Sequence, residues 1–176
     1  SLSPYRRPTI GYEKDIKTLR QRLLFKDEVR SFSPISSDEI LYARDIKNGF
    51  GSDLFLYSMK DNKKRLLFTT PYLISEILLT TEGIFAVARK NWENWSIYRL
   101  ALSDATFTPV IDTPFNESNI SFDGNMLCFA ANYEKAYRIY AYNLKDKKLF
   151  RLTEGGFADY PIVDSEKNKL YFVGLT

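Results

Sequence analysis

The feature that most constrains this chain is an internal period of 43 residues. Short apolar runs recur as Ile40-Leu41-Tyr42-Ala43, Ile84-Phe85-Ala86-Val87, Leu127-Cys128-Phe129-Ala130 and Leu170-Tyr171-Phe172-Val173; aligned on Leu41, Ile84, Leu127 and Leu170, each lies 43 residues after the last. A second set, Leu54-Phe55-Leu56-Tyr57, Ile97-Tyr98-Arg99-Leu100 and Ile139-Tyr140-Ala141-Tyr142, is spaced by 43 and then 42. A third set, Leu67, Val110 and Leu152, keeps the same 43 and 42. The later sets shift together, so one residue is missing from a loop of the third repeat. A period of this length means that each repeat is one supersecondary unit, which buries its faces only against its neighbours.

Each repeat offers four candidate strands, termed a to d. In the third repeat a is 119–122, Asp123-Gly124-Asn125 is a tight turn, b is 126–131, c is 138–143 and d is 149–153. The c–d link, Leu144-Lys145-Asp146-Lys147-Lys148, is polar and hairpin-like. A helical solenoid of the same period would need amphipathic stretches of about 10–15 residues, and none is present. Aromatic residues make up 15% of the chain, mostly Tyr and Phe, which favour strands. The reading is therefore an all-β chain of four-stranded β-propeller blades, with strand in about half of the residues and helix near zero.

The register extends to both ends. Residues 16–25 match residues 59–68, and both stretches end in Arg-Leu-Leu-Phe. The chain thus reads as a leader at 1–8, strands c and d at 9–26, blades at 28–70, 71–113 and 114–155, and strands a and b at 156–176. These amount to four blade equivalents. Two architectures follow. In one, a four-blade ring is closed by a split blade, with residues 10–13 pairing with 170–173. In the other, the chain is an arc of a larger propeller, with open strand edges and a blade face free for homo-association.

The third repeat resembles the TolB-type propeller repeat. Phe122-Asp123-Gly124 stands at the turn, Ile139-Tyr140 in the third strand, Asn143-Leu144 at the hairpin and Leu152-Thr153 at the end. The other repeats match less fully, with Ser33-Pro34 and Ser37-Asp38 in blade one and Glu82-Gly83 in blade two. The resemblance runs from residue 9 to 173 and implies a fold rather than an activity. Such repeats build periplasmic TolB and the propeller lobe of prolyl oligopeptidase-like peptidases. The Ser-Asp-His domain of those peptidases has no counterpart in this sequence.

Composition narrows the chemistry. There is no His and one Cys, which excludes Ser-His-Asp and Cys-His catalysis, the usual zinc sites and an intrachain disulfide. Calcium loops and glycine-rich phosphate loops are missing too, so the expectation is no metal, no cofactor and no catalysis within the chain. A net charge of +3 is too small to argue for nucleic acid. No run approaches the length and apolarity of a membrane-inserted helix. Nothing in the sequence names a compartment. Cys128 reads as a small apolar filler in strand b. The bases at the c–d tips, Arg20 and Arg22, Lys63-Lys64-Arg65 and Lys147-Lys148, read as solvated hairpin ends. The loop carboxylates Asp112, Glu117, Asp123, Glu154 and Asp159 show no spacing that selects a catalytic pair.

In a propeller the b–c and d–a loops lie on one face. The d–a aromatics Tyr72, Phe115 and Phe157 are locked to the repeat, which suits packing between blades. The b–c loops differ from blade to blade: Asn48-Gly49-Phe50-Gly51, Asn91-Trp92-Glu93-Asn94-Trp95 and Tyr133-Glu134-Lys135-Ala136-Tyr137. Both Trp residues of the chain fall in one variable loop. An exposed Trp pair is costly and marks recognition, whereas folded back it would be core. The expected site is Trp92 and Trp95, flanked by Phe50 and Tyr137, in a non-catalytic binding or scaffold module for protein or peptide. Carbohydrate is the other ligand class, since indoles stack on sugar rings. The alternative role is the substrate-gating lobe of a prolyl oligopeptidase-like peptidase whose catalytic domain lies outside this chain.

Overall fold

The computed structural model describes residues 9–164 and 166–175, and these contain strands and turns with no helix. The segment 1–8, read as a leader, lies outside the described residues. An N-terminal hairpin joins β1 (Thr9–Lys14) to β2 (Gln21–Asp27). Three four-stranded antiparallel sheets follow, each a meander in chain order. The first is β3 (Val29–Pro34), β4 (Glu39–Asp45), β5 (Ser52–Ser58) and β6 (Lys63–Thr70). The second is β7 (Tyr72–Thr80), β8 (Gly83–Lys90), β9 (Ser96–Ala101) and β10 (Thr106–Ile111). The third is β11 (Glu117–Asp123), β12 (Met126–Glu134), β13 (Ala136–Asn143) and β14 (Lys148–Arg151). A hairpin of β15 (Phe157–Asp164) and β16 (Lys169–Leu175) ends the chain. Strand thus takes up more than the half expected from the repeat.

The repeat is written into the backbone of the turns. Leu19, Asn62, Ala105 and Lys147 all have φ between 53° and 60°, at spacings of 43, 43 and 42 residues. Each sits at a c–d tip, where the left-handed conformation reverses the chain. Only Asn62 is a residue type that adopts it readily. The N-terminal hairpin carries the same tip, with Asp15 Oδ1 accepting from the backbone N–H of Lys17 and Thr18.

Strand b of each blade is buried on both faces, which is why it reads as a continuous apolar run. In β4, Ile40 and Tyr42 face the N-terminal hairpin with Phe55, Tyr57 and Leu24, while Leu41 and Ala43 face the second blade. Ile74, Ala86, Ala88, Tyr98, Leu100 and Phe107 complete that seam. Phe85, Val87 and Ile97 then meet Leu127, Phe129 and Ala131 at the next one. The last seam is smaller, with Ala130 and Ile139 against Ala158.

Polar stitches join the inner strands. Ser31 Oγ and Ser33 Oγ accept from the N–H groups of Ile77 and Leu79 at 2.9 and 3.2 Å. The Glu76 carboxylate accepts from Asn119 N and Ile120 N at 2.6 and 2.9 Å, where β11 bulges and Asn119 has φ 53°. A bulge leaves ladder groups unpaired, and the neighbouring blade satisfies them here. The N-terminal hairpin is tied down by charge. Asp27 accepts from Lys64 Nζ, Tyr42 OH and Arg44 Nη1, and Arg44 reaches Asp53 at 2.8 Å. Burial pushes the Asp27 carboxyl up, but these donors, led by Lys64, outweigh it and hold it at about 2.

The ring does not close. Among the described residues β1 pairs only with β2 and β16 only with β15, so the 10–13 to 170–173 pairing required by a closed split blade is not made. The molecule is an arc of three blades with a half blade at each end. Tyr160, Ile162, Tyr171, Val173 and Leu175 are half-exposed or more at one end, as are Tyr12 and Leu23 at the other.

Candidate functional site

The b–c loops of the first and second blades meet through Phe50 and Trp92, and the second of them is held by the d–a loop that leads into the third blade. In the first blade the chain reverses through 46–51, closed by Ile46 N donating to Gly51 O at 3.2 Å. Gly51 has φ 131°, and a Cβ there would lie 2.2 Å from the Thr70 carbonyl oxygen. The residue must be Gly, and its close approach fixes where Phe50 stands.

In the second blade the loop 91–95 is clamped to the following d–a loop. Trp95 N donates to Asn116 Oδ1 at 3.1 Å, and Glu117 N donates to Trp95 O at 2.9 Å. Asn94 Nδ2 donates to Pro114 O at 2.7 Å and Ser96 Oγ to Asp112 Oδ1 at 3.0 Å. Asn116 is itself held by Asn132 at 2.8 Å. The loop therefore has a defined shape despite its exposure.

This geometry sorts the sequence-predicted residues. Trp92 is 86% exposed, at the apex of the loop. Its ring lies 5.8 Å from that of Phe50, tilted by 57°. Trp95 is half-buried and packs on the Phe85–Val87–Ile97 cluster, so its ring serves the core as well as the rim. Tyr137 is not with them. It packs edge-on against Phe157, at 6.1 Å, on the seam with the C-terminal hairpin. The d–a aromatics divide as well: Tyr72 stacks on Phe107 within its own blade, whereas Phe115 meets Tyr133 edge-on and Phe157 meets Tyr137 edge-on across a seam.

Arg89, at the end of β8, binds the cluster together. Its guanidinium carbon lies 4.6 Å from the Trp95 ring, 5.7 Å from Trp92 and 5.8 Å from Phe50. Such ring faces attract a cation but take no N–H bond in its plane. The Arg89 Nε is buried with no hydrogen-bond partner, and among the described residues no carboxylate pairs with the group. Arg89 is not among the residues that the sequence singles out. The signal was its place in the repeat, where its mates are Ile46 and Asn132.

Beneath the loop lies a buried acid. Glu117 is fully buried; Thr113 Oγ1 and Tyr133 OH donate to its Oε1 at 2.6 and 2.9 Å, and its Oε2 has no partner. Burial, reinforced by Asp112, pushes its carboxyl up to about 7 against those two donors. Burial likewise drives the Cys128 thiol up to about 12, which keeps it protonated in the strand. Among the described residues no group of three or more acids or thiols is placed to hold a metal ion. The arrangement offers ring faces and one unpaired guanidinium to a ligand.

Solved structures with this architecture can be compared directly. TolB from Acinetobacter baumannii superposes on 93% of this chain with a TM-score of 0.67 at 16% identity. The fold is the TolB-type propeller. A TolB-like protein from Agrobacterium tumefaciens superposes on 95% of the chain, with a TM-score of 0.60 at 11% identity, and 79% of its own length is covered. A puromycin hydrolase variant covers 89% at a TM-score of 0.63 and 9% identity. The chain spans 42% of the Acinetobacter TolB and 30% of the hydrolase. No protein-family model matches the sequence, and no curated protein matches it significantly. The TolB-type likeness thus rests on the blade geometry and the repeat, and it describes a propeller module.

Proposed function

We infer that this propeller arc is a non-catalytic binding module whose b–c loop face takes a protein or peptide partner. One observation carries the reading: Trp92 is almost fully exposed on a loop held by four hydrogen bonds to its neighbours. An indole in water costs free energy unless something covers it, and a preformed loop loses little entropy when that happens. Phe50 and Trp95 extend the same surface, whereas Tyr137 belongs to a different seam. The test is a displayed peptide library panned against the wild type and Trp92→Ala. The wild type should enrich peptides that the variant does not capture, with the melting temperature unchanged to about 1 °C, because the side chain packs on little. A Trp92→Ala protein that captures the same peptides removes the site.

A second reading is the substrate-gating lobe of a prolyl oligopeptidase-like peptidase, favoured by the likeness to puromycin hydrolase. Reading the parent gene beyond Thr176 separates the two. A Gly-x-Ser-x-Gly segment with later Asp and His supports the peptidase, and further 43-residue repeats support the binding module. The outer edges of β1 and β16, unpaired among the described residues, add a proposed route to homo-association.

A further inference from the structure

We propose that Arg89 reads a single carboxylate on the partner, a Glu or Asp side chain, while Trp92 and Phe50 take the apolar residue beside it. The proposal rests on the loop-face reading above and deepens it. Three arginines are half-buried among the described residues: Arg44, Arg89 and Arg138. Arg44 is matched by Asp27 and Asp53, and Arg138 donates to the Gly156 and Tyr137 carbonyls. Arg89 alone of the three has no oxygen partner, although its Nε is withdrawn from water. Its neighbours are the faces of Trp95, Trp92 and Phe50, which hold the guanidinium in place and leave its terminal N–H groups to be claimed. A planar, always-charged fork held this way matches a carboxylate with two parallel bonds.

The surroundings choose the ligand class. Strand alternation puts Lys90 on the opposite face of β8 from Arg89, and Glu93 stands in the same loop as Trp92. Among the described residues only the Arg89 cation lies against the Trp92, Trp95 and Phe50 faces, and a single cation matches one negative charge better than a dianionic phosphate. Phe50 and Trp92 meet at 57°, which makes a wedge rather than a flat platform. A wedge accepts a Leu, Phe or Pro side chain, whereas a sugar ring stacks on a flat face. A peptide with an acidic residue next to an apolar one meets both demands.

Trp92 and Trp95 are the only indoles of the chain, so tryptophan emission, excited where tyrosine does not absorb, reports on this site alone. The probes are capped heptapeptides Gly-Gly-X-Glu-X-Gly-Gly, with X as Leu, Phe or Pro, and the same set with Gln in place of Glu. At least one Glu peptide should shift the emission, and its Gln counterpart should bind about tenfold more weakly or worse, the usual loss for a charge-assisted bond. Raising the salt to about 0.5 M should weaken the Glu peptide and leave the Gln peptide unchanged. Arg89→Gln should abolish the difference. The change on the peptide side keeps the test valid if that variant folds poorly. Equal binding of Glu and Gln peptides overturns the role of Arg89 and leaves the loop-face reading standing. A response to galacturonate trisaccharide and to no peptide overturns the proposal in favour of an acidic sugar. No response to either probe removes the peptide-binding reading and the proposal with it.

Discussion

Replacing Glu117 by Gln should change how stability depends on pH more than it changes stability itself. Glu117 is completely buried, and its carboxyl is shifted from 4.5 to about 7. Between those values the folded protein holds a proton that the unfolded chain has released. Stability therefore falls as pH rises through this window, and above pH 7 the full cost of an ionised buried acid is present. The shift corresponds to about 3 kcal/mol, most of which is lost between pH 5 and pH 8. The chain has no His, so few other groups titrate over this range. Gln keeps an acceptor for Thr113 and Tyr133 but places an amide where Oε2 has no partner, at a cost of about 1–3 kcal/mol at every pH. The variant should be less stable than the wild type at pH 5 and equal or better at pH 8. Urea unfolding followed by Trp emission at both pH values measures the difference directly. Parallel stability profiles, with the gap between the proteins constant to about 0.5 kcal/mol, would refute the argument. Glu117 would then titrate like an ordinary surface carboxyl.

Two further outcomes test the architecture. Ala105 has φ 56° at its c–d tip, so Ala105→Gly should stabilise by about 0.5 kcal/mol, whereas the β-branched Ala105→Val should cost more than about 1 kcal/mol; equal midpoints in chemical denaturation for all three would contradict the left-handed tip. Val173 is 57% exposed on β16, whose outer edge is unpaired among the described residues, so Val173→Lys should reduce any self-association seen by analytical ultracentrifugation; a concentration-dependent species that survives the change would place association elsewhere.

The 43-residue period, together with four short strand-like runs per repeat and no amphipathic helical stretch, determined the fold class, because a strand that reads apolar at every position must be buried on both faces, and repeated blades provide that burial. The N-terminal hairpin was legible for the same reason: its match to the c–d segment of the next repeat survives in the left-handed turn at Leu19. That Trp92 and Trp95 share one polar, variable loop was legible, but that Trp92 is exposed while Trp95 folds back onto the core was decided only in the tertiary structure. What the sequence left open depended on distances between blades. Whether β1 meets β16 depends on how each blade packs on the next, and no residue pattern within one blade encodes that sum. Tyr137 and Trp95 look equivalent as aromatics at a b–c loop, yet one packs on Phe157 at the far seam and the other supports Arg89. Arg89 and Glu117 were visible as charges, but their meaning is set by their surroundings, an Arg89 side chain with no oxygen partner and a buried Glu117 with one oxygen unpartnered, and those exist only once the chain is folded. Local periodicity is a property of neighbours along the chain, whereas an unpaired charge is a property of neighbours in space.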